Sequence, residues 1–190
     1  MKLTTYCFEK PGSQNTDQTL AITLERATAL GIRQVVVASS HGDTARKAHA
    51  LLAPEGIQVV AVTLAHGWEH LGWCMTPEEK EPLLAMGVRV VTGIHALGDD
   101  VGTAFSDKHG GRAPQDIVRD TLYRFGQGMK VAVECLLMAA DAGVLDMTQE
   151  VISIGGTGSG ADTAIVCKPA YPRTFFDLQI LEVLAKPRMG

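Results

Sequence analysis

Short apolar runs alternate with amphipathic stretches through the first half of the chain. The run QVVVAS at positions 34–39 is apolar almost throughout and predicts a buried strand. A helical pattern begins near Asp43, and IQVVAVTLA at positions 57–65 predicts the next strand. A strand, a helix and a strand in this order predict two parallel strands of one sheet.

The rest of the chain adds further elements to this sheet. A helix is expected from about Asn15 to Gly31, before the first strand. Helical patterns also cover residues 76–87, 113–125 and 126–143, and strand patterns cover residues 88–94, 150–156, 162–169 and 175–186. We expect the sheet to end with an antiparallel C-terminal strand. The whole pattern predicts a three-layer α/β/α sandwich, a single domain over residues 1–190 with a mixed, mostly parallel sheet.

Composition and charge narrow the class of protein. The chain has 190 residues, of which 46% are hydrophobic and 20% charged, which suits one ordinary core. The formal net charge is -4 and the 17 Lys and Arg residues are scattered, so we do not expect a nucleic-acid partner. The most apolar segment, VAVECLLMAADAGVL, is interrupted by Glu134 and Asp141, and no membrane partner is expected. Widely spaced cysteines and a polar N-terminus predict a reduced, cytoplasmic protein.

Small polar residues follow the first predicted strand, where a helix begins. They are Ser39, Ser40, His41, Gly42 and Thr44. Hydroxyls and backbone N–H groups at a helix N-terminus bind phosphate well, and a glycine lets the backbone approach the ligand. One hydroxyl is enough to cap a helix, so three hydroxyls and a glycine favour a phosphate-binding loop over an ordinary cap.

The segment GGTGSGAD forms a second glycine-rich connection. Its glycines have the spacing GxGxG, whereas the dinucleotide fingerprint is GxGxxG, and no P-loop motif occurs in the chain. Two interpretations remain: a nest of N–H groups around an oxygen-rich ligand, or a tight connection between two strands. The candidate binding residues are Gly156, Thr157, Gly158, Gly160, Asp162 and Thr163.

Other strand ends and one helix start offer further candidates. They are His66 and Gly67 after the second strand, His95 after the third, and Gly126, Gln127, Gly128 and Lys130 at the start of the apolar helix. Lys130 and Glu134 are four positions apart, which suits an ordinary ion pair as well as a ligand contact. We expect Trp68 and Trp73 to pin a long loop rather than to stack on a ligand. No metal site is expected.

Four segments together resemble a known family. FEKPGSQNT, VVASSHGDTA, FGQGMKVAVE and IGGTGSGADTA are similar to the stand-alone microbial relatives of the pyruvate kinase C-terminal α/β domain, over about residues 8–187. The resemblance implies the same fold, with the last strand antiparallel, and phosphate binding by the loop of residues 39–44. The catalytic barrel of pyruvate kinase has no counterpart here, so the resemblance does not imply kinase activity.

The family resemblance also implies flavin mononucleotide (FMN) as the cofactor. Its phosphate would bind at residues 39–44, and its isoalloxazine ring would lie towards His66, His95, residues 126–128 and residues 156–163. His41 stands where the family leads us to expect a small residue, and its ring could add a hydrogen-bond donor.

Three functions follow from these observations. The first is a protein that binds FMN. Its extension is a redox protein that uses the bound flavin. The alternative is a non-catalytic sensor of a phosphorylated metabolite, by analogy with the regulatory role of the kinase domain. The third is a hydrolase or lyase that uses Ser39 or His95, for which the sequence provides no activating partner. The expected partner is a small phosphorylated ligand, and a homo-oligomer is compatible with the sequence.

Overall fold

Seven strands and six α-helices are found in the computed structural model, which describes residues 2–188. The strands are β1 (Tyr6–Phe8), β2 (Gln34–Ala38), β3 (Gln58–Val62), β4 (Arg89–Val91), β5 (Val151–Gly155), β6 (Thr163–Lys168) and β7 (Gln179–Pro187). The α-helices are α1 (Thr16–Leu30), α2 (Asp43–Leu52), α3 (Pro77–Ala85), α4 (Val101–His109), α5 (Pro114–Leu122) and α6 (Gln127–Asp141). Short 3-10 turns include His66–Leu71, Tyr123–Phe125 and Pro172–Asp177.

The strands form one sheet in the order β1-β7-β6-β5-β2-β3-β4. The pairs β1 and β7, β2 and β5, β2 and β3, and β3 and β4 are parallel, whereas β6 is antiparallel to both of its neighbours. The prediction of a mixed, mostly parallel sheet is confirmed. The reversed strand is β6, not the C-terminal strand. Because the chain reverses before β6 and again before β7, β7 has the same direction as β5 and β1.

Alternate residues of β2 face two hydrophobic cores on opposite sides of the sheet. Val35 and Val37 pack in the core that includes Leu52 of α2 and Leu83 of α3. Val36 packs in the other core, which is filled mainly by the apolar side of α6. Helices therefore cover both faces of the sheet, as the strand and helix patterns predict.

Two elements differ from the sequence-based expectation. The edge strand β1 and the helix α4 have no counterpart in the predicted pattern. α4 has no buried residue, and it begins where the Asp100 side chain accepts a hydrogen bond from the Thr103 N–H at 2.9 Å. The helices found within residues 2–188 are all too short or too polar to cross a membrane.

Candidate functional site

The C-terminal ends of β2 and β3 border a cleft of about 1040 Å³, called the main cleft below. Ala38 and Val62, the last residues of these strands, line it together with residues from α2, α5 and α6. In sheets of this kind the loops after the strands and the N-termini of the helices converge at one edge. The main cleft is the larger of two cavities at this edge.

More than half of the sequence-predicted site residues lie in the main cleft. They are Ser39, Ser40, His41, Thr44, His95, Gln127, Lys130, Gly156, Gly158 and Gly160. The others are absent from its lining: Gly42, His66, Gly67, Gly126, Gly128, Thr157, Asp162 and Thr163. The structure therefore brings together the loop after β2, the first turns of α6 and the glycines of the loop between β5 and β6.

Ser39 and Gly42 shape the start of α2. Ser39 is only 6% exposed, and its Oγ accepts a hydrogen bond from the Ala45 N–H at 3.1 Å. Gly42 has a φ of +91°, and a Cβ at this position would lie 2.6 Å from the Arg46 guanidinium and 3.0 Å from Leu83. Only glycine fits this turn without strain. Gly42 is the N-cap residue and has no side chain, so the Ser39 hydroxyl caps the first turn of α2 from outside the helix, instead of Ser40 or Asp43, the residues expected to cap it.

Ser40 and Thr44 keep their hydroxyls free in the main cleft. Both residues line it, and neither hydroxyl has a hydrogen-bond partner among residues 2–188. The backbone N–H groups of Asp43 and Thr44 likewise find no acceptor within those residues. The first N–H groups of a helix carry partial positive charge and attract anions. The Asp43 carboxylate is 91% exposed and lies 3.8 Å from Arg46, whose charge offsets it.

His41 is turned towards α3. Its Nδ1 lies 3.1 Å from each carboxylate oxygen of Glu79. Glu79 also accepts a hydrogen bond from the Thr76 N–H at 2.9 Å, and the two contacts, led by the backbone bond, lower the pKa of this carboxyl group. One nitrogen of His41 is thus held by Glu79, and the residue also lines the main cleft.

Asp162 organises the glycine-rich loop from within. It is fully buried, and it accepts hydrogen bonds from the Gly12 N–H at 2.9 Å, the Thr157 N–H at 3.1 Å and the Thr163 hydroxyl at 2.9 Å. Asp162 and Thr163 therefore fix the loop, whereas the glycines border the main cleft. The Thr157 Oγ1 is buried without a hydrogen-bond partner among the described residues. Gly12 was not a candidate from the sequence, because its partner lies 150 positions away.

The start of α6 divides into a cleft side and a packed side. Gln127 and Lys130 line the main cleft, and Gly126 precedes the first helical residue. A Cβ on Gly128 would overlap the side chains of Thr163 and Asp162. Gly128 therefore allows α6 to pack closely on β6, which is a structural role.

Both ring nitrogens of His95 are engaged by the protein. Nε2 accepts a hydrogen bond from the Ala65 N–H at 3.1 Å, and Nδ1 contacts the Asp99 carboxylate. His95 therefore has no free nitrogen for general-base catalysis. Asp99 also accepts a hydrogen bond from the Trp68 Nε1 at 2.8 Å, so the turn after β4 holds the connection after β3.

The connection after β3 separates two cavities. His66 and Gly67 line the smaller one, which has a volume of about 560 Å³. Trp68 and Trp73 stack with ring centroids 5.6 Å apart, and both line the main cleft. Trp68 is anchored through its indole nitrogen, in agreement with the expected pin. Trp73 is 49% exposed, so its surface is accessible from the cleft.

Lys130 and Glu134 form a buried ion pair in the wall of the main cleft. Lys130 is 8% exposed and Glu134 5% exposed, and the Lys130 ammonium contacts one carboxylate oxygen of Glu134. The other oxygen accepts a hydrogen bond from the Leu97 N–H at 3.0 Å. Lys130 and Glu134, four positions apart on α6, thus form an ion pair, and this ion pair borders the main cleft.

Several residues of the main cleft were not candidates from the sequence. Arg119 and Asp120 of α5, Tyr123, Cys135 and Met138 all line it. The amphipathic pattern over residues 113–125 indicates a helix, but not that its polar side faces a cleft. Burial raises the pKa of the Cys135 thiol, so this cysteine stays protonated and is not an activated nucleophile.

Comparison of the chain with models of known protein families gives no match. The geometry of the main cleft is therefore the main guide to function.

Proposed function

We propose that this protein binds a phosphorylated small molecule in the main cleft, and that the ligand is FMN. The observation that carries the proposal is the pair of free hydroxyls on Ser40 and Thr44 beside the free N–H groups at the start of α2. These donors come from five consecutive residues of the cleft lining, positions 40–44, and a phosphate monoester offers several strong acceptor oxygens. Ser39 is left out of the phosphate contacts because its Oγ already caps α2.

The size and lining of the main cleft support a ligand as large as FMN. Cofactor sites commonly have volumes of about 300–1000 Å³ and combine apolar walls with a few polar groups. Leu64, Val131 and Met138 supply apolar surface, and the exposed ring of Trp73 is suited to stacking on a planar ring.

The proposed function is FMN binding. Redox catalysis by the bound flavin would be an extension of this function. FMN would supply hydride or electron transfer when bound, while this chain would bind the phosphate and orient the ring. A non-catalytic sensor of a phosphorylated metabolite is the second candidate, and the engaged nitrogens of His95 favour it over hydrolysis. A hydrolase or lyase that uses Ser39 or His95 is disfavoured, because the Ser39 Oγ already accepts from the Ala45 N–H and both ring nitrogens of His95 are engaged.

The phosphate contacts are tested by replacing Ser40 and Thr44 together with Ala. The freshly purified native protein should show the flavin absorption band, or should bind added FMN in a fluorescence titration. Loss of two charge-assisted hydrogen bonds should weaken FMN binding at least about tenfold in the double variant. Riboflavin lacks the phosphate, so its affinity should not change.

The test of the phosphate contacts needs a control variant and a result that would refute them. Thr28→Ala removes an exposed hydroxyl from α1 that does not line the main cleft, and should bind FMN like the native protein. A native protein that neither contains nor binds FMN refutes the cofactor. Equal losses of FMN and riboflavin affinity in the double variant would refute the phosphate contacts.

A further inference from the structure

The Lys130 ammonium has more hydrogen-bond donors than protein acceptors. Its side chain is 10% exposed, and what exposure remains is on the main cleft. An ammonium has three N–H donors, and among residues 2–188 only Glu134 accepts from it. The Tyr123 ring centroid lies 6.0 Å from Nζ, at the limit of a cation–π contact. Burial makes unused donors costly, so the remaining donors are suited to an acceptor on a ligand.

The charges around the main cleft decide which acceptor fits. Four carboxylates, those of Asp43, Asp99, Asp120 and Glu134, line the cleft with two cations, Lys130 and Arg119. Lys130 is already paired with Glu134, and Arg119 lies 3.1 Å from Asp116 and 3.0 Å from Asp120. Arg46 offsets Asp43, which leaves three carboxylates and two cations, so a second anionic group on the ligand would meet an excess of negative charge. A neutral carbonyl oxygen accepts the same hydrogen bond without that repulsion.

We infer that Lys130 binds a neutral carbonyl group of the ligand, so that the cleft selects phosphate monoesters with a neutral carbonyl at the other end. This inference rests on the proposed function, because it takes the phosphate to be bound at Ser40 and Thr44. It excludes sugar bisphosphates and phosphocarboxylates, whose second end is charged. The isoalloxazine ring of FMN has neutral carbonyls and belongs to the selected class.

The test compares two Lys130 variants in titrations with FMN and riboflavin. Lys130→Met leaves the Glu134 charge buried without its partner and is expected to lose stability. Lys130→Met with Glu134→Gln removes both charges, and the glutamine can still accept from the Leu97 N–H. In this double variant FMN and riboflavin should both bind at least about tenfold more weakly, because the lost contact is to the ring.

The control is Lys47→Met, which removes an exposed lysine paired with Asp17 on the surface, and should not change either affinity. Thermal unfolding identifies a variant that fails to fold. Unchanged affinities for both flavins in a folded double variant overturn the role of Lys130 and leave FMN binding itself intact.

A native protein that binds neither flavin refutes FMN, and the ligand class is then decided by calorimetry. Uridine monophosphate has a neutral ring carbonyl beside its sugar phosphate, whereas phosphoenolpyruvate is a phosphocarboxylate. Binding of uridine monophosphate that is lost in the double variant supports the inference without FMN. Tighter binding of phosphoenolpyruvate, or binding of neither compound, overturns it.

Discussion

Ser39 and Ser40 are neighbours in the chain, but their hydroxyls have different surroundings. Ser39 accepts from the Ala45 N–H, whereas Ser40 borders the main cleft without a protein partner. Ser39→Ala should lower the free energy of unfolding by about 1 kcal/mol, the usual cost of a lost helix cap. Ser40→Ala should lower it much less, because no hydrogen bond within the protein is lost. Urea denaturation of the two variants measures the difference, and equal losses would show that both hydroxyls serve the helix.

The sequence indicated the polar loop at residues 39–44 but could not divide its roles. Which hydroxyl caps α2 depends on the turn at Gly42, where φ is +91°, and a residue pattern does not specify that turn. Lys130 and Glu134 were easier to predict, because a spacing of four residues on a helix brings two side chains together. Their position in a cleft wall depends on Leu97 and Tyr123, which belong to other segments.

The carboxylate of Asp116 joins α4 to α5. Asp116 is 1% exposed and accepts hydrogen bonds from the Ser106 hydroxyl at 2.9 Å and from the Ala113 N–H at 3.0 Å. The Ser106 bond is the largest cause that lowers the pKa of this carboxyl group, followed among the favourable contacts by the Ala113 N–H and Arg119. Because the folded pKa is below the unfolded value, the carboxylate stabilises the protein above about pH 4. That stabilisation is lost as the pH falls through the folded pKa.

Asp116→Asn tests this pH dependence. The variant should unfold at a lower urea concentration than the native protein at about pH 7, and the difference should shrink as the pH falls below about 4 and the native carboxyl group takes up a proton. Asp107→Asn, an exposed substitution on α4, is the control and should stay close to the native protein. A difference that is as large at the lower pH would show that the charge of Asp116 is not what stabilises this contact.

The helices that bury more residues were easier to predict from the sequence than those that bury few. α6 is apolar along most of its length and has many buried residues, and its pattern predicted it over residues 126–143. α4 buries none of its residues and depends on the Asp100 cap and on Asp116 from α5. The Asp116 contact joins two helices, so no local periodicity reports it, and the Asp100 cap is local but has no apolar pattern beside it. The polar side of α5 at the main cleft was missed for the same reason.

At the scale of the molecule, the first and last strands meet at one edge of the sheet. β1 pairs with β7 in parallel, and β7 lies between β1 and β6. The patterns indicated most strands of the sheet. β4 has only three residues but lies in the apolar run of residues 88–94, whereas the three residues of β1 lie in a polar N-terminal stretch that shows no such run. The order of strands is also set by which apolar faces meet in the two cores. The sequence therefore predicted the layers of the fold better than the order and direction of the last strands.

The buried carboxylate of Asp162 links the N-terminal segment to the glycine-rich loop across the molecule. Asp162→Ala would leave the N–H groups of Gly12 and Thr157 without their acceptor. Both bonds are partly buried, and a fully buried unpaired donor costs about 1–3 kcal/mol, so the free energy of unfolding should fall by at least about 1 kcal/mol. Hydrogen exchange of the two amides should accelerate more than exchange in β2 and β3, which lie elsewhere in the sheet. Asp177→Ala, an exposed substitution, should leave both rates unchanged. Slow exchange of both amides in Asp162→Ala would mean that other contacts hold the loop and the N-terminal segment together.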